Sequence, residues 1–133
     1  MKNVILDGDN LKIENVISVC RNNATVLVPN DIIRKVSDNW DAIAEMLARG
    51  DVMYGLNTGI GGFGNVVISK GKAGELSTRM LRAHASGYGD PVEQEIAKAA
   101  LLLRLNVFAK GYSGVRPILF RTFLEMQIGR AHV

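Results

Sequence analysis

Apolar residues recur at helical intervals over most of this chain. The clearest stretch runs from Asn30 or Asp31, either a good N-cap, to Gly50, a natural C-cap. Between them Ile32, Ile33, Val36, Trp40, Ile43, Ala44 and Leu47 share one face, which predicts a helix. A second periodic run begins at Glu75, carries Leu76, Met80 and Leu81 on one side, and stops before Gly87-Tyr88-Gly89. A third places Ile96, Ala97, Ala100, Leu101, Leu105 and Phe108 between Pro91, where a helix often starts, and Gly111. A last helix, past Phe120, Phe123 and Leu124, is expected to start near Ser113, whose hydroxyl suits an N-cap. Leu11 to Val19 is mixed, although Ile13, Val16 and Ile17 fit a short helix, with a turn at Arg21-Asn22-Asn23. Thr25-Val26-Leu27-Val28, closed by Pro29, has the look of a strand end. The fold class is therefore mainly α, with a little extended structure near the N-terminus.

Gly55 to Gly74 breaks this pattern. It holds seven of the chain's fourteen glycines, so no regular helix is expected there, while Val52-Met53-Tyr54 could extend briefly before it. Gly59-Ile60-Gly61-Gly62-Phe63-Gly64 spells the G-x-G-x-x-G of dinucleotide sites. That fingerprint needs a buried strand immediately before it, a helix opening at its third glycine and an acidic residue about 20 positions on. Here polar Asn57-Thr58 intervenes, Asn65-Val66-Val67-Ile68 does not resemble a helix start, and no βαβ pattern follows. The context excludes a nucleotide role. Such a density of glycine instead frees the backbone to reach positive φ and to move, as active-site loops require, or simply makes a surface connection.

Composition narrows the function classes further. At 133 residues and 47% hydrophobic the chain can bury the core of one ordinary domain. Its net charge of +3 comes from basic residues scattered among acids, so electrostatics makes no case for nucleic acid. The single cysteine, Cys20, permits no intrachain disulfide and is expected to be a buried, inert thiol. The opening Met1-Lys2-Asn3-Val4-Ile5-Leu6-Asp7 lacks a signal-peptide apolar region and no later run is long enough to span a bilayer. The expected location is therefore cytoplasmic, with no membrane partner.

Tyr54-Gly55-Leu56-Asn57-Thr58-Gly59-Ile60-Gly61 resembles the Tyr-Gly-x-Asn-Thr-Gly-Phe-Gly signature of the aromatic amino acid ammonia-lyases, the histidine and phenylalanine ammonia-lyases among them. Leu76 to Gly89 resembles that family's Leu-Gln-x-Asn-Leu-x-x-Ser-His-Ala-x-Gly-x-Gly segment. Leu103-Arg104-Leu105-Asn106 and Ala109-Lys110-Gly111-Tyr112-Ser113-Gly114-Val115-Arg116-Pro117 resemble the next two blocks, in family order and spacing. Asp7-Gly8-Asp9-Asn10-Leu11 looks like the family's usual start, so the resemblance spans nearly all of residues 7 to 127. Departures are Ile60 for Phe, Ser77 and Met80 in the Gln-x-Asn-Leu region, and Ala83 for the Ser before His84. They bear on the substrate rather than on the family.

The resemblance implies the N-terminal part of the ammonia-lyase helical fold and a carbon–nitrogen lyase eliminating ammonia from an aromatic L-amino acid to give the α,β-unsaturated acid. Histidine, and so histidine catabolism, comes first; tyrosine or phenylalanine ammonia-lyase and 2,3-aminomutase are the alternatives. By analogy Tyr54 is the catalytic base. A phenol ordinarily keeps its proton until about pH 10, so such a base needs positive charge or hydrogen-bond donors nearby. His84 would contact substrate, its neutral imidazole suiting a polar ring. Asn57, Gly59 and Gly61 are expected to shape the active-site loop, mainly through backbone freedom, and Arg116-Pro117 to serve packing and helix starting.

In the family the electrophile is a methylidene-imidazolone ring formed from an Ala-Ser-Gly triplet further along. The only such triplet here, Ala85-Ser86-Gly87, lies inside the His84 block and is expected to be a turn after a helix. The fragment itself is thus expected to be inactive, the complete family member to be a homotetramer acting on a small-molecule amino acid, and no metal to be held. The chain is divided as residues 1–127, a truncated lyase portion, and 128–133, because Ile128-Gly129-Arg130-Ala131-His132-Val133 is what ATC GGA AGA GCA CAC GTC encodes. That string resembles a common sequencing adapter, so the six residues are expected to be read-through. Sequencing the source gene past codon 127 tests this, as it tests the rival reading of a non-catalytic helical interaction module: an Ala-Ser-Gly-Asp continuation supports the enzyme, a genuine stop the module.

Overall fold

The computed structural model describes residues 3–128, so of the expected read-through segment only Ile128 falls within the described residues, and 129–133 lie outside them. Two compact units are present. One comprises residues 1–43 and 92–133, the other residues 44–91.

In the first unit β1 (Asn3–Ile5) and β2 (Thr25–Leu27) form a two-stranded parallel sheet in which Val4 lies opposite Val26. The strands are joined by α1 (Ile13–Asn22). That helix runs through Arg21 and Asn22, where a turn was expected, and ends only at Asn23, which takes the left-handed conformation at φ 51. Asparagine tolerates that region better than most side chains, which makes it a serviceable helix stop. The expected strand at 25–28 is β2; β1 has no separate signal in the sequence beyond its short apolar run.

The helix expected from Asn30 to Gly50 is α2 (Asn30–Arg49), closed by Gly50 at φ 94. Within the first unit its Ile32 and Val36 join Val4, Leu6, Val19 and Val26 in the core. The other side of that core comes from α4 (Gln94–Ala109) and α5 (Pro117–Gln127). Leu105 and Phe108 are buried as their periodicity suggests, together with Leu102, whereas Ile96 and Ala100 from the same expected face are exposed. The reason is that α4 is apolar almost all round, so periodicity alone could not say which side faces inward. Pro91 stands outside α4, which starts at Gln94. The last helix does not start near Ser113: Arg116 is extended, with ψ 138, and Pro117 occupies the first helical turn. A residue before proline is pushed out of the α region, so the helix cannot begin earlier.

Asp7-Gly8-Asp9-Asn10 forms a tight turn against the end of α4. Asp7 accepts the backbone N–H groups of Asp9 and Asn10, each at 2.9 Å, and the Asn10 side chain at 2.7 Å. These donors, the Asn10 side chain foremost, hold the Asp7 carboxyl at about 2, below its usual 3.8. A Cβ on Gly8, at φ 94, would stand 2.9 Å from the Lys110 nitrogen, so only glycine fits there.

In the second unit the glycine-rich stretch carries two single 3₁₀ turns, Gly61–Phe63 and Lys70–Lys72, and no α-helix until α3 (Ala73–His84). α3 starts two residues before Glu75 and ends ahead of Gly87, as its periodicity requires. Val52 and Met53 form no strand. No helix among the described residues is long and apolar enough to cross a membrane.

Candidate active site

The loop that follows Tyr54 closes on itself as a narrow hairpin. Thr58 pairs with Val67 in an antiparallel bridge, the Gly59 N–H reaches the Val66 carbonyl at 3.0 Å, and the Ile68 N–H reaches the Asn57 carbonyl at 2.7 Å. The 3₁₀ turn Gly61–Phe63 fills the bend. Gly59 is obligatory in it, because an added Cβ would come 2.5 Å from the Phe63 carbonyl oxygen.

Tyr54 sits at the mouth of this hairpin. Its hydroxyl oxygen accepts the Gly61 N–H at 3.0 Å, and its ring lies against Gly64, where a Cβ would meet Cε2 at 2.9 Å. Gly61 adopts φ 57, a backbone that presents its N–H to the phenol and that glycine reaches without strain. The Tyr54 side chain is nevertheless 67% exposed.

Asn57 does more than free the backbone. Its Oδ1 accepts the Met53 N–H at 2.7 Å and its Nδ2 donates to the Asp51 carbonyl at 2.8 Å. Thr58, which the motif alone does not single out, is only 1% exposed; its Oγ1 accepts the Gly55 N–H at 3.0 Å and donates to the Gly59 carbonyl at 2.8 Å. The available signal was a β-branched hydroxyl residue in the middle of a glycine run, where a merely flexible linker would place serine or more glycine.

His84 ends α3. Its Nδ1 lies 2.8 Å from the Met80 carbonyl, and since a carbonyl only accepts, Nδ1 carries the hydrogen. In the neutral ring Nε2 is then left as an acceptor. Leu76, Met80 and His84 on α3 and Gly55, Leu56 and Ile60 on the loop line an open, largely apolar cavity of about 410 Å³. That volume falls within the roughly 300–1,000 Å³ typical of small-molecule sites. The structure therefore brings His84 and the Tyr54 loop to one pocket, while the Tyr54 side chain itself turns to Gly61 and Gly64 rather than lining it.

Ala85-Ser86-Gly87 begins with Ala85, the C-cap of α3, and is exposed, non-helical chain. A ring made from this triplet would stand open to water in this chain. Among the described residues no group of three or more His, Cys, Asp or Glu could hold a metal ion. Cys20 is half-buried rather than buried; desolvation, then the Glu95 charge, push its thiol above the ordinary value and keep it protonated.

The helical fold is that of the aromatic amino acid lyases. The family model for "Aromatic amino acid lyase" matches residues 11–130, and the chain belongs to that family. It is 37% identical over 129 residues to a histidine ammonia-lyase of a Geobacillus species, covering 97% of this chain and 25% of that protein. A histidine ammonia-lyase of Caldanaerobacter subterraneus is also 37% identical, over 95% of this chain and 25% of its own length. Among solved structures, the tyrosine aminomutase of Streptomyces globisporus superposes with a TM-score of 0.89 at 32% identity, over 95% of this chain and 24% of that one. The histidine ammonia-lyase of Trypanosoma cruzi superposes at 0.82 with 28% identity, over 95% and 25%. The chain thus spans about a quarter of the length of the curated relatives it matches.

Proposed function

We propose that this chain is the segment of an ammonia-lyase that carries the catalytic base, Tyr54, and that histidine is the substrate. The observation carrying this reading is the Gly61 N–H that holds the Tyr54 hydroxyl oxygen at 3.0 Å, because a base must act from a fixed position. In the reaction the Tyr54 oxygen takes a proton from the substrate β-carbon. The electrons of that C–H bond form the Cα=Cβ double bond, the Cα–N bond breaks and ammonia departs. His84 suits a polar ring, its Nε2 accepting an imidazole N–H while Met80 holds Nδ1. Leu56, Ile60 and Leu76 shield the rest of the ring from water.

The electrophile that the family uses belongs to the part of the polypeptide this chain does not span, so the fragment alone is inactive. A homotetramer and a cytoplasmic location are parts of the same proposal. The test is a full-length polypeptide carrying this segment, assayed for urocanate, cinnamate and coumarate. Urocanate is the expected product, and Tyr54→Phe should lower kcat by roughly 10²–10⁴-fold, the usual worth of a positioned base. A fully active Tyr54→Phe variant removes Tyr54 from the mechanism. The similarity to a tyrosine aminomutase favours one second reading; a β-amino acid product in the same assay would select it.

A further inference from the structure

We infer that Asn57 and Thr58 are positioning residues that clamp the two peptide groups flanking Tyr54 and thereby hold its phenol on Gly61. This rests on the reading of Tyr54 as the base. The N–H before Tyr54, on Met53, is taken by Asn57 Oδ1 at 2.7 Å, and the N–H after it, on Gly55, by Thr58 Oγ1 at 3.0 Å. Each clamping side chain is itself tied down, Asn57 through Nδ2 to the Asp51 carbonyl at 2.8 Å and Thr58 through its hydroxyl to the Gly59 carbonyl at 2.8 Å. The main chain of both belongs to the hairpin, through the Ile68 N–H to the Asn57 carbonyl and the Thr58–Val67 bridge.

Packing cannot do this work. Tyr54 is 67% exposed, and Gly55 beside it, at φ 75 with open space around its Cβ position, offers little steric restraint. A ring so exposed keeps one orientation only if its own main chain is fixed and its hydroxyl is tethered. Thr58, by contrast, is buried, so its hydroxyl is exchanged for water only at a cost. The clamp thus transmits the rigidity of the closed hairpin to an exposed side chain.

The test uses the 133-residue chain and reads amide hydrogen exchange at Gly61, whose N–H is donated to Tyr54. Tyr54→Phe removes the acceptor and should speed that exchange about fivefold or more, the equivalent of one hydrogen bond. Thr58→Val, which keeps the shape but loses both hydrogen bonds, and Asn57→Ala should each speed it similarly, while Thr58→Ser keeps it slow. Exchange along α3, in the same unit, reports that this unit stays folded, and exchange at Leu105 and Phe120 that the other does. Unchanged Gly61 exchange in both Thr58→Val and Asn57→Ala overturns the inference, as does unchanged exchange in Tyr54→Phe. In a full-length polypeptide the same variants should lower kcat with little change in KM, with Thr58→Ser restoring it. Faster Gly61 exchange with kcat intact would leave the clamp standing and sink Tyr54 as the base instead.

Discussion

Gly64→Ala acts chiefly on the placement of the Tyr54 ring, although its methyl would also stand 3.3 Å from the Gly61 carbonyl oxygen. Gly64 has ordinary helical torsions, φ −60 and ψ −20, so alanine meets no backbone penalty there. Its methyl would, however, stand 2.9 Å from Tyr54 Cε2 and 3.2 Å from Cδ2. Carbon atoms prefer roughly 3.5–4.0 Å, so the ring must retreat by about 0.6 Å or more. The hydroxyl, now 3.0 Å from the Gly61 nitrogen, is then carried toward or past the roughly 3.2 Å limit of a good N–H···O bond. Losing that bond costs about 1 kcal/mol, and misplacing a reacting group by on the order of 1 Å costs up to about 10²-fold in rate. Gly64→Ala in a full-length polypeptide should therefore lower kcat by about ten- to a hundredfold. Gly62→Ala, where an added Cβ meets open space, should leave kcat within about twofold. Steady-state kinetics on the two variants make the comparison. Equal rates would refute the idea that the ring is held where the chemistry needs it.

Other consequences concern the fragment itself. Phe120 is 1% exposed at the centre of the first unit, so Phe120→Ala should cost about 3–5 kcal/mol in urea denaturation; a loss below 1 kcal/mol would contradict that core. Asp7 is held at about 2 in the folded chain against 3.8, so it contributes stability present above about pH 4 and lost as pH falls toward 2. Asn10→Ala, removing the leading donor, should flatten the acid limb of stability across that window, and an unchanged limb would be the contrary result. Ile96, Leu103 and Val107 share an exposed stripe of α4 at heptad-like spacing, which predicts self-association of the isolated chain. Leu103→Glu should shift sedimentation toward monomer; a wild-type chain already monomeric at high concentration would count against this.

What could be read from the sequence was whatever is decided locally. α2 declares itself through one apolar face with a cap at each end, and α3 through its spacing before Gly87. β1 escaped because three residues signal little on their own, and its partner lies 22 positions away in register, Asn3 opposite Thr25. Ser113 has the look of a cap, but the stronger constraint on the start of α5 is the proline four residues on. The buried face of α4 was half missed because that helix is apolar on nearly every side, so the choice belongs to its neighbours.

The site divides along the same line. Tyr54, Asn57, Gly59, Gly61 and His84 stand out as residue types in a motif, and the structure gathers His84 and the loop around one cavity. What no spacing rule supplies is the direction of each hydrogen bond. Its place among the glycines suggests backbone freedom for Asn57, but its amide does the opposite and immobilises Met53 and Asp51. Thr58 matters only because the hairpin closes and buries it. The glycines and the two polar side chains are thus parts of one device: Gly59 lets the hairpin close on Phe63, Gly61 turns its N–H to the phenol, Gly64 leaves room for the Tyr54 ring, and Asn57 and Thr58 stop it from moving once there. A loop built from glycine alone would reach the phenol but could not hold it.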